Sequence, residues 1–520
     1  MSPRSPRRGI RRIALAAAPL LIGALALPLG AAAAHGVDPG LAGSDLFVNP
    51  YSTTLEAGQG LVGQARYDAQ LLGSVPSAEW FTSGTPSEVQ AAADQYVDAA
   101  ASVGAMPVLV AYNLPFRDCA QYSAGGAADT AAYEAWIDGL VAGIGGRAAT
   151  VILEPDGLGI IPHYTSFEGA VEWCKPAELD PATAASDRFA QLNYAVDALG
   201  ESASTSVYLD GVHSGWLNVG DITDRLIKAG VERADGFFLN ASNYQFTTNL
   251  THYGTWISSC ITAVTELDKS PGECANQYWN GGPSTGWTGT ALTNYAEWSS
   301  GAAEIDRNTL GIEERYASLL NGAEPTTGFV IDTSRNGRGP WSAPAGVYSD
   351  AEDWCNPPGR GLGAQPTTDT GNPLVDAHLW IKVPGESDGK CYRGTGGPLD
   401  PERGMEDPAA GVWFTEQARE LIELAVPPLA AQDCHVVWSA KGAGKAFAAT
   451  VTVESPTPQW TLGFTWRDDQ RVTKAVHGTA TQNGSVVSVT SSDSSFVLTA
   501  KGGPSEPWLF LVNGKPCTSD

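Results

Sequence analysis

The sequence predicts a parallel α/β barrel followed by a small all-β sandwich. Three observations carry that prediction. Short apolar runs alternate with amphipathic helical stretches from Ser44 to about Val426. The apolar runs are followed by polar or acidic residues in a common register. Past a Pro-containing stretch, Val426–Asp433, the composition turns to Thr, Val and Ser in period-two segments.

The chain opens with Arg4, Arg7, Arg8, Arg11 and Arg12, an apolar run from Leu15 to Leu29 and the small residues Ala31–Ala34. Basic, then apolar, then small is the order of a cleaved signal peptide, expected over residues 1–34. Pro19 and Pro28 argue against a membrane span, and no later stretch reaches 18 consecutive apolar residues. The protein is therefore expected outside the cell, with no membrane partner.

Seven apolar runs follow: Leu46–Val48, Val108–Tyr112, Val151–Leu153, Val207–Leu209, Phe237–Leu239, Phe329–Ile331 and Leu379–Val383. Apolar runs without alternation suit parallel strands buried on both faces. Between them, Thr85-Pro86-Ser87-Glu88 supplies a cap, a first-turn proline and a capping-box Glu, and Gly104 stops that helix. Asp180-Pro181 opens a helix running to Gly200, and Asp221 is expected to cap another. Repeated βα units of this kind imply a parallel barrel. After the runs come Asn49, Asp118, Asp156, Asp210, Asn240, Asp332 and Asp388. In such barrels the strand ends share one face, where active sites lie. Any single Asp there is as readily a helix cap; five in one register are not. Segments such as Ala449–Val453 and Val486–Val489 then read as strands of a sandwich with Cys434 and Cys517 near its ends.

A length of 520 residues allows two or three domains, and 43% hydrophobic residues with 17% charged is globular composition. A formal net charge of −26 argues against nucleic acid, whose phosphates need clustered Lys and Arg. Eight cysteines, an even number, fit disulfides in an oxidising compartment. Metal-ligand spacings such as C-x-x-C and H-E-x-x-H are missing from the sequence, so no metal site is expected.

Three carboxylate motifs stand out: Tyr112-Asn113-Leu114-Pro115-Phe116-Arg117-Asp118-Cys119, Ile152-Leu153-Glu154-Pro155-Asp156 and Lys382-Val383-Pro384-Gly385-Glu386-Ser387-Asp388-Gly389. Cleaving a glycosidic bond needs a carboxylic acid to protonate the leaving oxygen and, with inversion, a base for water on the opposite face. A carboxyl keeps its proton near neutrality only when burial or a neighbouring negative charge raises its pKa. Asp118 and Asp156, from adjacent strands, are placed to have that mutual effect.

In this order the three motifs resemble those of the glycoside hydrolase family 6 cellulases. So do Tyr208–Trp216, Asn240–Tyr244 and Trp354-Cys355-Asn356, and the likeness covers nearly all of residues 44–426. The resemblance implies a distorted α/β barrel with fewer than eight strands, in keeping with seven runs, within a catalytic domain at 35–426. It implies inverting hydrolysis of β-1,4-glucan without cofactor or metal, by a monomer with cellulose and cello-oligosaccharides as partners. Asp156 matches the proton donor, Asp118 the Asp that modulates it, and Asp388 the proposed base. Tyr112 and Arg117 match residues shaping the site, and Ser123 stands one residue from the expected water-binding Ser. Trp80, Trp216 and Trp354 match sugar-stacking positions; Asn243, Lys382 and Glu386 match hydroxyl-binding ones. Asp210 and His213 either bind substrate or, for His213, only hold a loop. Gly157 departs from the family, where a side chain more often follows the acid.

The family pattern pairs Cys119 with Cys174 and Cys355 with Cys391; Cys260 and Cys274, in an extra segment, are expected to pair, as are Cys434 and Cys517. The stretches Phe246–Pro325 and Tyr392–Gly411 are long for βα connections and read as lids over a cleft. In this family long loops accompany release of cellobiose from the non-reducing end, and short ones endoglucanase action. The expectation is thus a cellobiohydrolase, with an endoglucanase as the alternative and a non-catalytic glycan-binding protein as the rival of another class. Retention of Asp118, Asp156 and Asp388 together speaks against the last. After a short linker at 427–433, residues 434–520 resemble a family 2 cellulose-binding module, but Ala443 and Val476 stand where that family shows surface tryptophans. Cellulose binding by this part is not expected; an exposed Trp508 would instead anchor a different ligand.

Overall fold

The computed structural model describes residues 40–429, 434–442, 445–455 and 457–519. The expected signal peptide, residues 430–433 of the linker and Ala443 lie outside them. No helix among the described residues is long and apolar enough to cross a membrane.

Two short helices, α1 (Thr53–Gln59) and α2 (Gly63–Leu72), precede a sheet of seven parallel strands. The strands are β1 (Glu79–Phe81), β2 (Val108–Ala111), β3 (Ala149–Leu153), β4 (Thr205–Asp210), β5 (Gly236–Leu239), β6 (Gly328–Asp332) and β7 (Val375–Leu379), paired in sequence order. Around them lie α3 (Pro86–Val103), α4 (Thr130–Ile144), α5 (Ala184–Gly200), α6 (Val219–Lys228), α7 (Thr247–Glu266), α8 (Leu310–Leu320) and α9 (Thr415–Glu423). The sheet curls without a ladder between β7 and β1; instead Ala78 N–H donates to Trp380 C=O at 2.9 Å. This is the distorted barrel.

Both faces of the strands are buried, which is why their sequences do not alternate. On β3, Val151 and Leu153 pack outward against the helices, while Ile152 points inward with Val110, Tyr208, Phe238 and Val330. The first strand differs from expectation. Leu46–Val48 contributes only a single bridge, Leu46 to Met106, and the place is taken by Glu79–Phe81, which shows no apolar run. The last strand lies four residues earlier than its apolar run.

Local signals set the helices. Thr85 and Glu88 form the reciprocal capping box of α3, and Gly104 ends it at φ 71°. Asp221 is not the cap of α6; Asn218 is, accepting the Asp221 N–H at 2.9 Å, while the Asp221 carboxylate pairs with Arg225 at 3.0 Å. The stretch Phe246–Pro325 is not a structureless loop either. Its first quarter is the 20-residue α7, and Trp298 beyond it is buried and stacked on Trp256.

The C-terminal strands are β8 (His435–Gly442), β9 (Ala446–Glu454), β10 (Trp460–Thr465), β11 (Arg471–Val476), β12 (Thr479–Asn483), β13 (Val486–Ser491), β14 (Ser495–Lys501), β15 (Phe510–Val512) and β16 (Lys515–Ser519). They run β11-β14-β9-β8 in one sheet and β15-β10-β13-β12 in the other, and β16 pairs with β8 and with β15. Phe447, Ala449, Val451 and Val453 of β9 alternate inward onto a core with Trp438, Trp460 and Trp466. The four tryptophans of this sandwich are buried, Trp508 at 7% exposure included, so the exposed Trp508 allowed for above is not found.

Candidate active site

The loops leaving the carboxyl ends of the strands enclose a cavity of about 630 Å³. Every site residue expected from the sequence lines it except Asp210.

The segment after β3 is the most constrained. Glu154 and Asp156 adopt φ of 58° and 61°, a conformation that L side chains rarely take unless their surroundings hold them in it. The buried Glu154 carboxylate accepts the N–H groups of Asn113 and Leu114 at 3.0 and 3.1 Å, locking the loop after β2 to the end of β3. Burial pushes its pKa up to about 7. Buried Arg188, on α5, donates to the carbonyls of Pro115, Gly157 and Ile160, each at 3.0 Å, joining the same two loops. Asp210 sits below the cavity and accepts from Leu158 and Gly159 N–H at 3.2 Å and from Val212 at 2.9 Å. Its carboxylate is taken up by the backbone just past Asp156. Gly157 has a local reason as well: a Cβ there would lie 2.7 Å from the Glu154 carbonyl oxygen.

The Asp156 carboxyl faces the cavity, and no other described residue hydrogen-bonds it. Burial, then the charges of Asp210, Asp118 and Asp388, hold its proton far above the usual carboxylate range. Asp118 is raised to about 6 by burial, although Ser123 N–H donates to it at 2.7 Å and Arg117 stands nearby. Arg117 spends its guanidinium on the carbonyls of Thr82, Tyr112 and Ser123 and lies over the Tyr112 ring at 4.7 Å, so it shapes the loop.

Asp388 behaves oppositely. Burial favours its neutral form, but Arg335 at 2.9 Å and Lys382 at 3.9 Å outweigh this and hold it below the ordinary range. Tyr244 O–H at 3.0 Å and Asn356 N–H at 2.9 Å donate to the same oxygen as Arg335. Arg335 is fully buried, over the Tyr244 ring at 4.5 Å. Sequence reasoning passed over Arg335, Tyr244 and Asn356; the last two fell inside quoted motifs, whereas Arg335 carries no local signal.

The remaining residues form walls. Trp80 is pinned by its indole N–H to Ile381 C=O at 2.8 Å, and His213 and Trp216 lie 5.8 Å apart. Burial lowers the His213 pKa to about 4, leaving a neutral ring that accepts from Gly215 N–H at 3.2 Å. Asn243, Trp354, Lys382 and Glu386 complete the wall, with Lys382 donating to Ser387 C=O at 3.2 Å. Disulfides join Cys119 to Cys174, Cys260 to Cys274, Cys355 to Cys391 and Cys434 to Cys517. The first brings Trp173 to the rim. Of the segment between α7 and α8, Asn294 and Tyr295 reach the cavity; of the loop after Asp388, Ala410 and Gly411 do.

Residues 41–425 match the family model described as Glycosyl hydrolases family 6. The chain is 30% identical over 502 residues to endoglucanase A of Thermobispora bispora, covering 92% of this chain and 90% of that one. A protein of Neosartorya fischeri named "Probable 1,4-beta-D-glucan cellobiohydrolase C" is 27% identical over 409 residues, 74% of this chain and 78% of its own. The solved endoglucanase Cel6 of Mycobacterium tuberculosis, in complex with methyl-cellobiosyl-4-deoxy-4-thio-β-D-cellobioside, superposes with a TM-score of 0.51 at 31% identity. That match covers 74% of this chain and 98% of the other.

Proposed function

The chain belongs to the glycosyl hydrolases of family 6, and from that premise we propose that it is an extracellular cellulase hydrolysing β-1,4-glucosidic bonds with inversion. The observation that carries this reading is the opposed setting of two cavity carboxyls: Asp156 is buried near three other carboxyls, which raises its pKa, whereas Asp388 is held by Arg335 at 2.9 Å and Lys382 at 3.9 Å, which lower its own. A proton donor and a fixed negative charge are what an oxocarbenium-like transition state needs.

In this reading Asp156 protonates the leaving oxygen. Ionised Asp388 raises the proton affinity of Asp156 and stabilises positive charge developing on the sugar ring. The sequence-based expectation makes Asp388 the base as well. Its carboxylate is already engaged by Arg335, Tyr244 and Asn356, which lowers its affinity for a further proton. Asp118, at about 6, is better matched to take a proton from water near neutrality, and we assign it that part. Trp80, Trp216 and Trp354 offer flat faces to the sugar rings, and Asn243, Lys382 and Glu386 offer polar groups to their hydroxyls.

We further propose action from the non-reducing chain end, releasing cellobiose. Supporting this, both long inserted segments send residues to the cavity, Asn294 and Tyr295 from one and Ala410 and Gly411 from the other. The test pairs viscosity loss of carboxymethylcellulose with the soluble products from amorphous cellulose. Cellobiose with little loss of viscosity is expected; rapid thinning with mixed oligosaccharides would make the enzyme an endoglucanase.

A further inference from the structure

The sandwich is seated on the barrel by a built interface. Trp508 and Leu509, which precede β15, pack with Leu55 of α1 into one buried cluster, with Val48, Tyr51 and Leu511 against it. Arg467 lies 3.9 Å over one face of the Trp508 ring, and Tyr51 meets the ring edge-on with centroids 6.1 Å apart. Polar contacts flank this cluster. The buried Gln70 amide on α2 donates to Ser519 Oγ at 2.7 Å and accepts Ser519 N–H at 3.2 Å, and Arg66 pairs with Glu506 at 3.1 Å. Trp508 is thus consumed in holding the two parts together.

The clamped segment leads directly to the cavity. Two residues before Leu55, the Thr53 hydroxyl donates to Glu386 Oε1 at 2.6 Å. Four residues further back, Asn49 donates to Glu79 Oε2 at 2.9 Å, beside the cavity residue Trp80, and Tyr51 N–H holds the Asn49 side chain at 2.9 Å. We propose that the C-terminal sandwich is a fixed buttress of the substrate cavity and that Thr53, on the helix it clamps, is a positioning residue for Glu386. Glu386 has a free choice of rotamers unless something fixes it. A carboxylate fixed before substrate arrives binds a sugar hydroxyl without first losing conformational freedom. The sandwich acts on affinity through the chain Trp508, Leu55, Thr53, Glu386, and not by touching cellulose. This inference rests on the reading of the cavity as a glucan site.

The experiment uses full-length variants and initial rates on cellohexaose. Thr53→Val should raise KM about two- to fivefold, the worth of one hydrogen bond, with kcat within about a factor of two. Thr53→Ser, which keeps the hydroxyl, should restore the parent KM. Trp508→Ala should raise KM by a similar factor, and the double variant should add nothing to Thr53→Val, since both break one chain of contacts. Should Trp508→Ala not fold, Gln70→Met, which removes both bonds to Ser519, takes its place. An unchanged KM in Thr53→Val would overturn the proposal. So would a full additional rise from Trp508→Ala in the Thr53→Val background, or a fall in kcat alone. A parent protein inactive on cellohexaose would instead overturn the cellulase reading itself.

Discussion

Replacing Arg335 by methionine removes the largest influence that keeps Asp388 ionised while roughly preserving volume. In the parent, Arg335 Nη1 lies 2.9 Å from Asp388 Oδ2, and both side chains are buried. Two unit charges at that separation attract by about 6 kcal/mol at an effective dielectric of about 20. Lys382 at 3.9 Å, Tyr244 and Asn356 remain and offset part of the loss. The folded protein should then bind a proton at Asp388 more readily, because burial acts nearly unopposed. The reaction needs both Asp118, raised to about 6, and Asp388 ionised, so the acidic limb of kcat/KM, set in the parent by Asp118, should become steeper and move to higher pH in the variant. Activity is lost most at pH 5 and largely recovered at pH 8. Breaking a buried pair costs about 3–5 kcal/mol of stability, so Tm should fall by several degrees. The assay is a pH–rate profile on cellohexaose with calorimetry alongside. A lower Tm with an unmoved acidic limb would leave Arg335 a purely structural role.

Glu79 and Glu154, at about 7, and Asp210, at about 6, all have folded-state pKa values raised by burial above their ordinary ones. The native chain therefore takes up protons between about pH 7 and pH 4 that the unfolded chain does not, and that stabilisation is lost as pH rises through the folded values. Tm should be higher at pH 5 than at pH 8, and a maximum at pH 8 would contradict the assignment. On microcrystalline cellulose, the full chain should be released when cellotetraose fills the cavity, because Trp438, Trp460, Trp466 and Trp508 are all buried and Val476 offers no ring. Undiminished binding in saturating cellotetraose would mean that the sandwich grips the polymer after all.

Much of this molecule was legible because its signals are local. The β3 run reads as a strand since both of its faces are buried, and Thr85 with Glu88 announces α3 because a capping box is closed within four residues. The carboxyls that line the cavity were legible through motifs at strand ends. What stayed hidden depends on contacts distant in sequence. Glu79–Phe81 is a strand by its ladder to Leu109–Ala111, not by any apolar pattern of its own. Arg335 joins the site from 53 residues away in sequence, by an ion pair that no spacing announces. Asp210 reads as a site residue from its register, yet its carboxylate turns down onto the backbone of residues 158 and 159. Asp221 looks like a cap, but Asn218, three residues earlier, takes that place and leaves Asp221 to Arg225. The long segment after β5 reads as open loop because α7 is rich in Thr and Ser; its helical form comes from packing Tyr253, Trp256 and Ile257 on the sheet.

The most direct test of the account is Asp156→Asn on unactivated cello-oligosaccharides, with binding followed in the same variant by tryptophan fluorescence. Asparagine fills the same space but has no proton to give the leaving oxygen. Turnover should fall by about 10²–10⁴-fold, while affinity for cellotetraose stays within a few fold of the parent. A variant that still cleaves cellohexaose at a rate near the parent's would contradict the assignment of Asp156 as the acid, and with it the mechanism proposed for this cavity.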